Sequence, residues 1–218
     1  MDADGNLNPE KKTQLRKAYT IAYGETVGRY VMSLDKADEY EIAPFINIRF
    51  NPITVKVENV LLELATAIGM ISVNSYDTGK KNLDTVITSE VGYLELGNSL
   101  RVLLAPGELA PEIAMGGFLP AAQSALNYDM DVKTGFEIID PLTLSADGKS
   151  KNLVFGLMND EIGYIIPDND FYVHRFLPYL ANDNDRLGVS HYEEGVSTSI
   201  YTCRLLLDEW QSIYDSTR

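Results

Sequence analysis

The sequence predicts an α/β fold, a mixed sheet with flanking helices, from three observations. Apolar residues alternate through Ile46, Ile48 and Phe50 and again through Ile53, Val55 and Val57, which is the period of a strand. A strand, tight turn and strand follow over residues 85–105, broken at Gly97-Asn98. Near the end, Ile200, Cys203, Leu206, Leu207, Trp210 and Ile213 recur at helical spacing.

The elements follow in order. Asn8 as N-cap and Pro9 at the first helical position open a long helix, whose stripe of Tyr19, Tyr23 and Tyr30 is expected to pack inward. Residues 1–8 read as a disordered leader. Residues 46–57 form two strands, or one strand bent at Asn51-Pro52. A short helix ends at Gly69. After the strand pair, Pro106-Gly107 leads into a helix expected to begin near Glu108. Residues 121–152 are turn-rich and read as a mobile insertion, and a strand runs from Asn152 to Leu157. No repeat and no linker interrupts the chain, so 1–218 reads as one domain.

Composition narrows the function. With 45% hydrophobic and 23% charged residues, a chain of 218 residues can bury one good core. A net charge of −14, with no stripe of Lys or Arg, argues against a nucleic-acid surface. The single Cys203, set in the apolar run TCRLLL, excludes a disulfide framework and a thiolate zinc cluster. No transmembrane run and no signal peptide is present; MDADGNLNPEKK is acidic where a secretory leader is basic and then apolar.

Three polar turns carry the possible chemistry. LLAPGEL places Glu108 after one hydrophobic strand, and GLMNDEIGYIIP places Asn159, Asp160 and Glu161 after another. If the two strands are neighbours, both carboxylates reach one sheet edge, where ligand sites of open α/β sheets gather. The plainer alternatives are a helix first turn stabilised by Glu108 and a capped turn at residues 159–161. SHYEEGVSTS adds His191, Tyr192, Glu193, Glu194 and Ser197, whose plainer role is a helix start capped by Ser197 or a neighbour. Neither His174 nor His191 belongs to a spaced zinc pair, and no Gly-x-Ser-x-Gly elbow occurs.

In this order, LRVLLAPGELAPEI, NLVFGLMNDEIGYIIP and SHYEEGVSTS resemble the later half of the catalytic domain of the neutral/alkaline, non-lysosomal ceramidases. The resemblance covers about residue 50 to the C-terminus. It implies a zinc-dependent amidohydrolase that cleaves the N-acyl amide bond of ceramide-like lipids, outside the cell or at its envelope. Two His from an earlier half and a Glu and a Tyr from the later half would hold the metal. Glu108 matches that Glu, while Glu161 stands where the family has the Tyr. Tyr164 and Tyr192 become candidates for donating to the developing oxyanion, and Asn159 and His191 for binding substrate. The earlier His segments and the family's serine segment have no match here. The chain alone is therefore expected to be inactive until joined to the N-terminal half of the domain. The alternative is a non-catalytic binding or structural module that keeps the fold.

Overall fold

The structure, a computed structural model, describes residues 8–72, 75–77, 85–97, 99–115, 120–126, 151–181 and 184–217. Most of the expected leader, Asn98 of the turn and most of the expected insertion lie outside these residues. The chain forms two compact units, Met1–Glu41 and Ile42–Arg218.

In the first unit, α1 runs over Pro9–Met32 with Pro9 in its first turn. Asn8 is its N-cap, the side-chain oxygen accepting from Lys11 N at 2.8 Å. The expected inward packing is not observed: α1 has no buried residue, and Tyr19 is 74% exposed. Ile21 sits on the face opposite Tyr19 and Tyr23, so the apolar residues do not form the single stripe that burial requires.

The second unit is built on a mixed sheet. β1 (Ile46–Lys56), β3 (Thr85–Leu96), β4 (Leu100–Leu104) and β6 (Lys151–Phe155) lie in the order β1-β3-β4-β6, and the short β2 (Ser75–Asp77) adds to the free end of β3. β1 is one unbroken strand antiparallel to β3. It is also the edge strand, where Pro52 is tolerated without an N–H. The pair β4 and β6 is parallel.

One face of the sheet meets α4 (Thr202–Ser216), whose buried residues include those at the predicted helical spacing from Cys203 to Ile213, with Thr202 and Tyr214 added. They pack with Ile53, Val55, Val91, Tyr93 and Leu103 in a single core. Full burial of side chains this size contributes about 1.5–3 kcal/mol each. Burial also pushes the Cys203 thiol well up, so it is an inert core residue.

α2 (Val60–Ala67) is capped by Asn59, with Gly69 just beyond its end. The helix expected at Glu108 begins later. Glu108 and Leu109 form β5, paired with β7 (Tyr164–Ile165), and α3 (Pro111–Met115) follows. The strand expected to reach Leu157 stops at Phe155, because Leu157 turns into the left-handed region. Ser197 does not cap a helix start. A short 3-10 helix, Glu193–Val196, precedes it, and α4 begins at Thr202 with no side-chain cap.

Candidate functional site

The parallel pair β4/β6 is followed directly by a second parallel pair, β5/β7, with Glu108 opposite Tyr164. Between them the two connecting turns are laced by main-chain bonds. Met158 N donates to Ala105 O at 2.9 Å, Leu157 N to Gly107 O at 3.0 Å, Ile162 N to Pro106 O at 2.9 Å and Glu108 N to Gly163 O at 3.2 Å. Such close passage requires residues without a side chain. A Cβ on Gly107 would run into Gly163 O, and one on Gly163, at φ +93°, would run into Val196 O.

The third motif closes on the same point. Gly163 bridges Ser197, and the Ser197 hydroxyl donates to Tyr164 O at 2.7 Å. The Thr198 hydroxyl donates to Ile162 O. Asn59, fully buried, accepts from Leu61 N at 3.0 Å to cap α2 and donates to the carbonyls of Gly195 and Ser197, each at 3.0 Å. The three polar turns separated in sequence are therefore one hydrogen-bonded body, which Asn59 ties through its third turn to the start of α2.

Around this body lies a cavity of about 600 Å³. Val57, Leu62, Ile71, Ile87, Ile162 and Val196 make it largely apolar, and its polar side chains include Glu108, Glu161, Tyr164 and Tyr192. Four of the six residues singled out from sequence thus share one lining. Asn159 does not join them: it is exposed, sits at φ +67° and lines neither this cavity nor its neighbour, so it serves the turn. Asp160 is likewise structural, its carboxylate accepting from the Ser89 hydroxyl at 2.7 Å.

Electrostatics distinguish the cavity groups. Burial raises the Glu161 carboxyl above its ordinary value and Glu108 adds to this, while the Gly163 N–H, donating to Glu161 Oε1 at 2.9 Å, works against it. Tyr164 and Tyr192 meet edge to face with ring centroids 6.0 Å apart. The hydrogen bond that Tyr164 makes to Tyr192, with burial and Glu108 acting in the same direction, pushes the Tyr164 phenol up to about 12. At neutral pH Tyr164 is therefore a neutral phenol with a proton to donate.

His191 lies beside a second cavity of about 320 Å³, which Glu108, Tyr164 and Tyr192 also line. Its Nδ1 is 2.7 Å from Glu194 Oε1 and its Nε2 3.4 Å from Asp185 Oδ2. The bond to Glu194 outweighs the opposing effect of burial and lifts the imidazole to about 9. His191 is thus a structural imidazolium. At the chain's other histidine, His174 Nδ1 accepts from Phe176 N at 3.2 Å and Leu177 N at 3.0 Å.

The donors fit zinc only as part of a shell. Glu108, Glu161 and the phenols are hard oxygen donors, yet a catalytic zinc takes three protein ligands, and among the described residues no group of three or more His, Cys, Asp or Glu is placed to hold a metal ion. The chain matches no protein-family model, no curated protein and no solved structure. Among the described residues no helix is long and apolar enough to cross a membrane.

Asn59 and the ion triad of His191 were not expected from sequence. A residue of Asn type directly before an apolar helix signals an N-cap and could have revealed Asn59. The Asp185 contact has no local signal.

Proposed function

We propose that this chain supplies the acyl-binding cavity and part of the metal shell of a zinc-dependent amidohydrolase acting on ceramide-like N-acyl amides. One observation carries the reading: Glu108 and Glu161, from two separate turns, line one otherwise apolar cavity together with Tyr164 and Tyr192. Glu108 and Glu161 would hold the metal, which when bound polarises the amide carbonyl and acidifies a water. Both imidazoles of the chain are engaged elsewhere, so the nitrogen ligands come from a second polypeptide segment that carries two His.

The chain's own residues do the rest. Val57, Leu62, Ile87 and Val196 take the acyl chain and exclude water from it. Tyr164, protonated at neutral pH and braced by Tyr192, donates a hydrogen bond to the amide oxygen as negative charge develops there.

The test is calorimetric binding of N-dodecanoyl-ethanolamine to the full chain, alongside a hydrolysis assay with added zinc. Binding that is lost in Thr66→Trp, which fills the cavity from α2, with no hydrolysis by the chain alone, is the expected result. Undetectable binding overturns the acyl-site reading. Hydrolysis by the chain alone, abolished in Glu108→Ala, overturns the partial-shell reading.

A further inference from the structure

Beside the acyl cavity, the second cavity has a different chemistry. Glu108 on β5, Glu112 on α3, Asp170 in the loop after β7, and Glu193 and Glu194 at the 3-10 helix all line it. Among the described residues no Lys or Arg does. Among them the one positive group in the lining, His191, has both ring nitrogens turned to carboxylates, Asp185 and Glu194. The chamber therefore carries a clear excess of negative charge.

A second, independent observation points to a missing donor. Glu194 is only 2% exposed. Its Oε1 accepts from Tyr172 N at 2.8 Å and faces His191 Nδ1 at 2.7 Å, while its Oε2 is buried with no hydrogen-bond partner. A buried carboxylate oxygen without a donor is costly, and a protonated amine, with three N–H donors on a compact charge, would satisfy it. Because Glu108, Tyr164 and Tyr192 line both cavities, they form the shared wall. An amide held at that wall would send its acyl chain one way and its amine side the other.

We propose that the second cavity binds a protonated ammonium group on the amine side of the ligand, so that the preferred ligands are N-acyl amides whose amine part keeps a positive charge. This rests on the acyl-site reading above and narrows its substrate class. Burial, with Glu194 and Glu112 adding to it, holds the Asp170 carboxyl above its ordinary value despite the relief from His191, as expected of a chamber short of positive charge.

Three ligands of similar size separate the possibilities: the mono-N-dodecanoyl amide of ethylenediamine, which is cationic, N-dodecanoyl-ethanolamine, which is neutral, and N-dodecanoyl-glycine, which is anionic. Each is titrated into the full chain by calorimetry below its micelle concentration. The cationic amide should bind about tenfold more tightly than the neutral one, and the anionic one should bind weakest. The preference for the cationic over the neutral amide should shrink in the double variant Glu112→Gln, Glu193→Gln. It should persist in Glu90→Gln, a change on β3 outside both cavities that controls for overall charge. Equal binding of cationic and neutral amides, or a preference that survives the double variant, overturns the ammonium chamber and leaves the acyl site standing. Failure of all three ligands to bind overturns both.

Discussion

Glu108 and Tyr164 are register partners in the two-residue parallel ladder of β5 and β7, although 56 positions separate them along the chain. That ladder is what brings the Pro-Gly-Glu turn to the Gly163 turn. Its precision depends on Gly163, which passes beneath Val196 O at a positive φ.

Gly163→Ala should therefore cost at least about 2 kcal/mol, combining backbone strain with a main-chain clash. Urea denaturation of the variant against wild type measures it. A variant as stable as wild type would mean that the 3-10 helix moves aside freely.

Asn59→Ala removes a helix cap and two buried donors to the loop carrying Ser197. The expected loss is about 2–4 kcal/mol, because the carbonyls of Gly195 and Ser197 lose a partner at the same moment. Thermal unfolding followed by circular dichroism checks the size of the loss. A drop of only a few tenths would limit Asn59 to capping α2.

His191 gives the fold a pH dependence of definite sign. Its folded value of about 9 lies above its ordinary 6.5, so it contributes stability that is full below the lower value and disappears as pH rises through the higher one. Wild type should lose melting temperature across that window. His191→Gln should be less stable at neutral pH by about 3 kcal/mol, since Glu194 and Asp185 lose their cation, and its own profile there should be flatter. Parallel slopes for the two proteins would assign the dependence to another group.

Glu161→Gln keeps an acceptor for the Gly163 N–H while removing one charge from the Glu108 pair. The melting temperature in chelator at neutral pH should rise, modestly because the carboxylates reach solvent. Zinc affinity, measured by competition with a chromophoric chelator, should fall in the same variant. A lower melting temperature would show that Glu161 is held as a charged structural group.

Local chemistry made much of the scaffold legible. Asn8-Pro9, the alternation along β1 and the spacing from Cys203 to Ile213 each carry their own period or cap, and each appears where expected. Glu108 misled because an acidic residue just after Pro-Gly imitates a helix start. Its strand consists of two residues and exists only through Tyr164 and Ile165. The tyrosines of α1 misled for the opposite reason, since spacing alone does not show whether anything covers them. At the site, the convergence of Glu108 and Glu161 followed from the adjacency of β4 and β6, an adjacency that had to be assumed from sequence. The engagement of His191 is led by Glu194, three residues on, and completed by Asp185, brought close by a loop with no periodic signature.

Trp210 is the only tryptophan of the chain, 3% exposed, with its ring centroid 5.4 Å from that of Tyr93. It lines neither cavity. The protein therefore carries a built-in optical reporter for one event, the seating of α4 on the sheet. Its emission should be blue-shifted in the native state and move to the red on unfolding, with no label attached. Ligands filling the acyl or acidic chamber should leave that signal almost unchanged, so fluorescence and calorimetry will read folding and binding as separate channels.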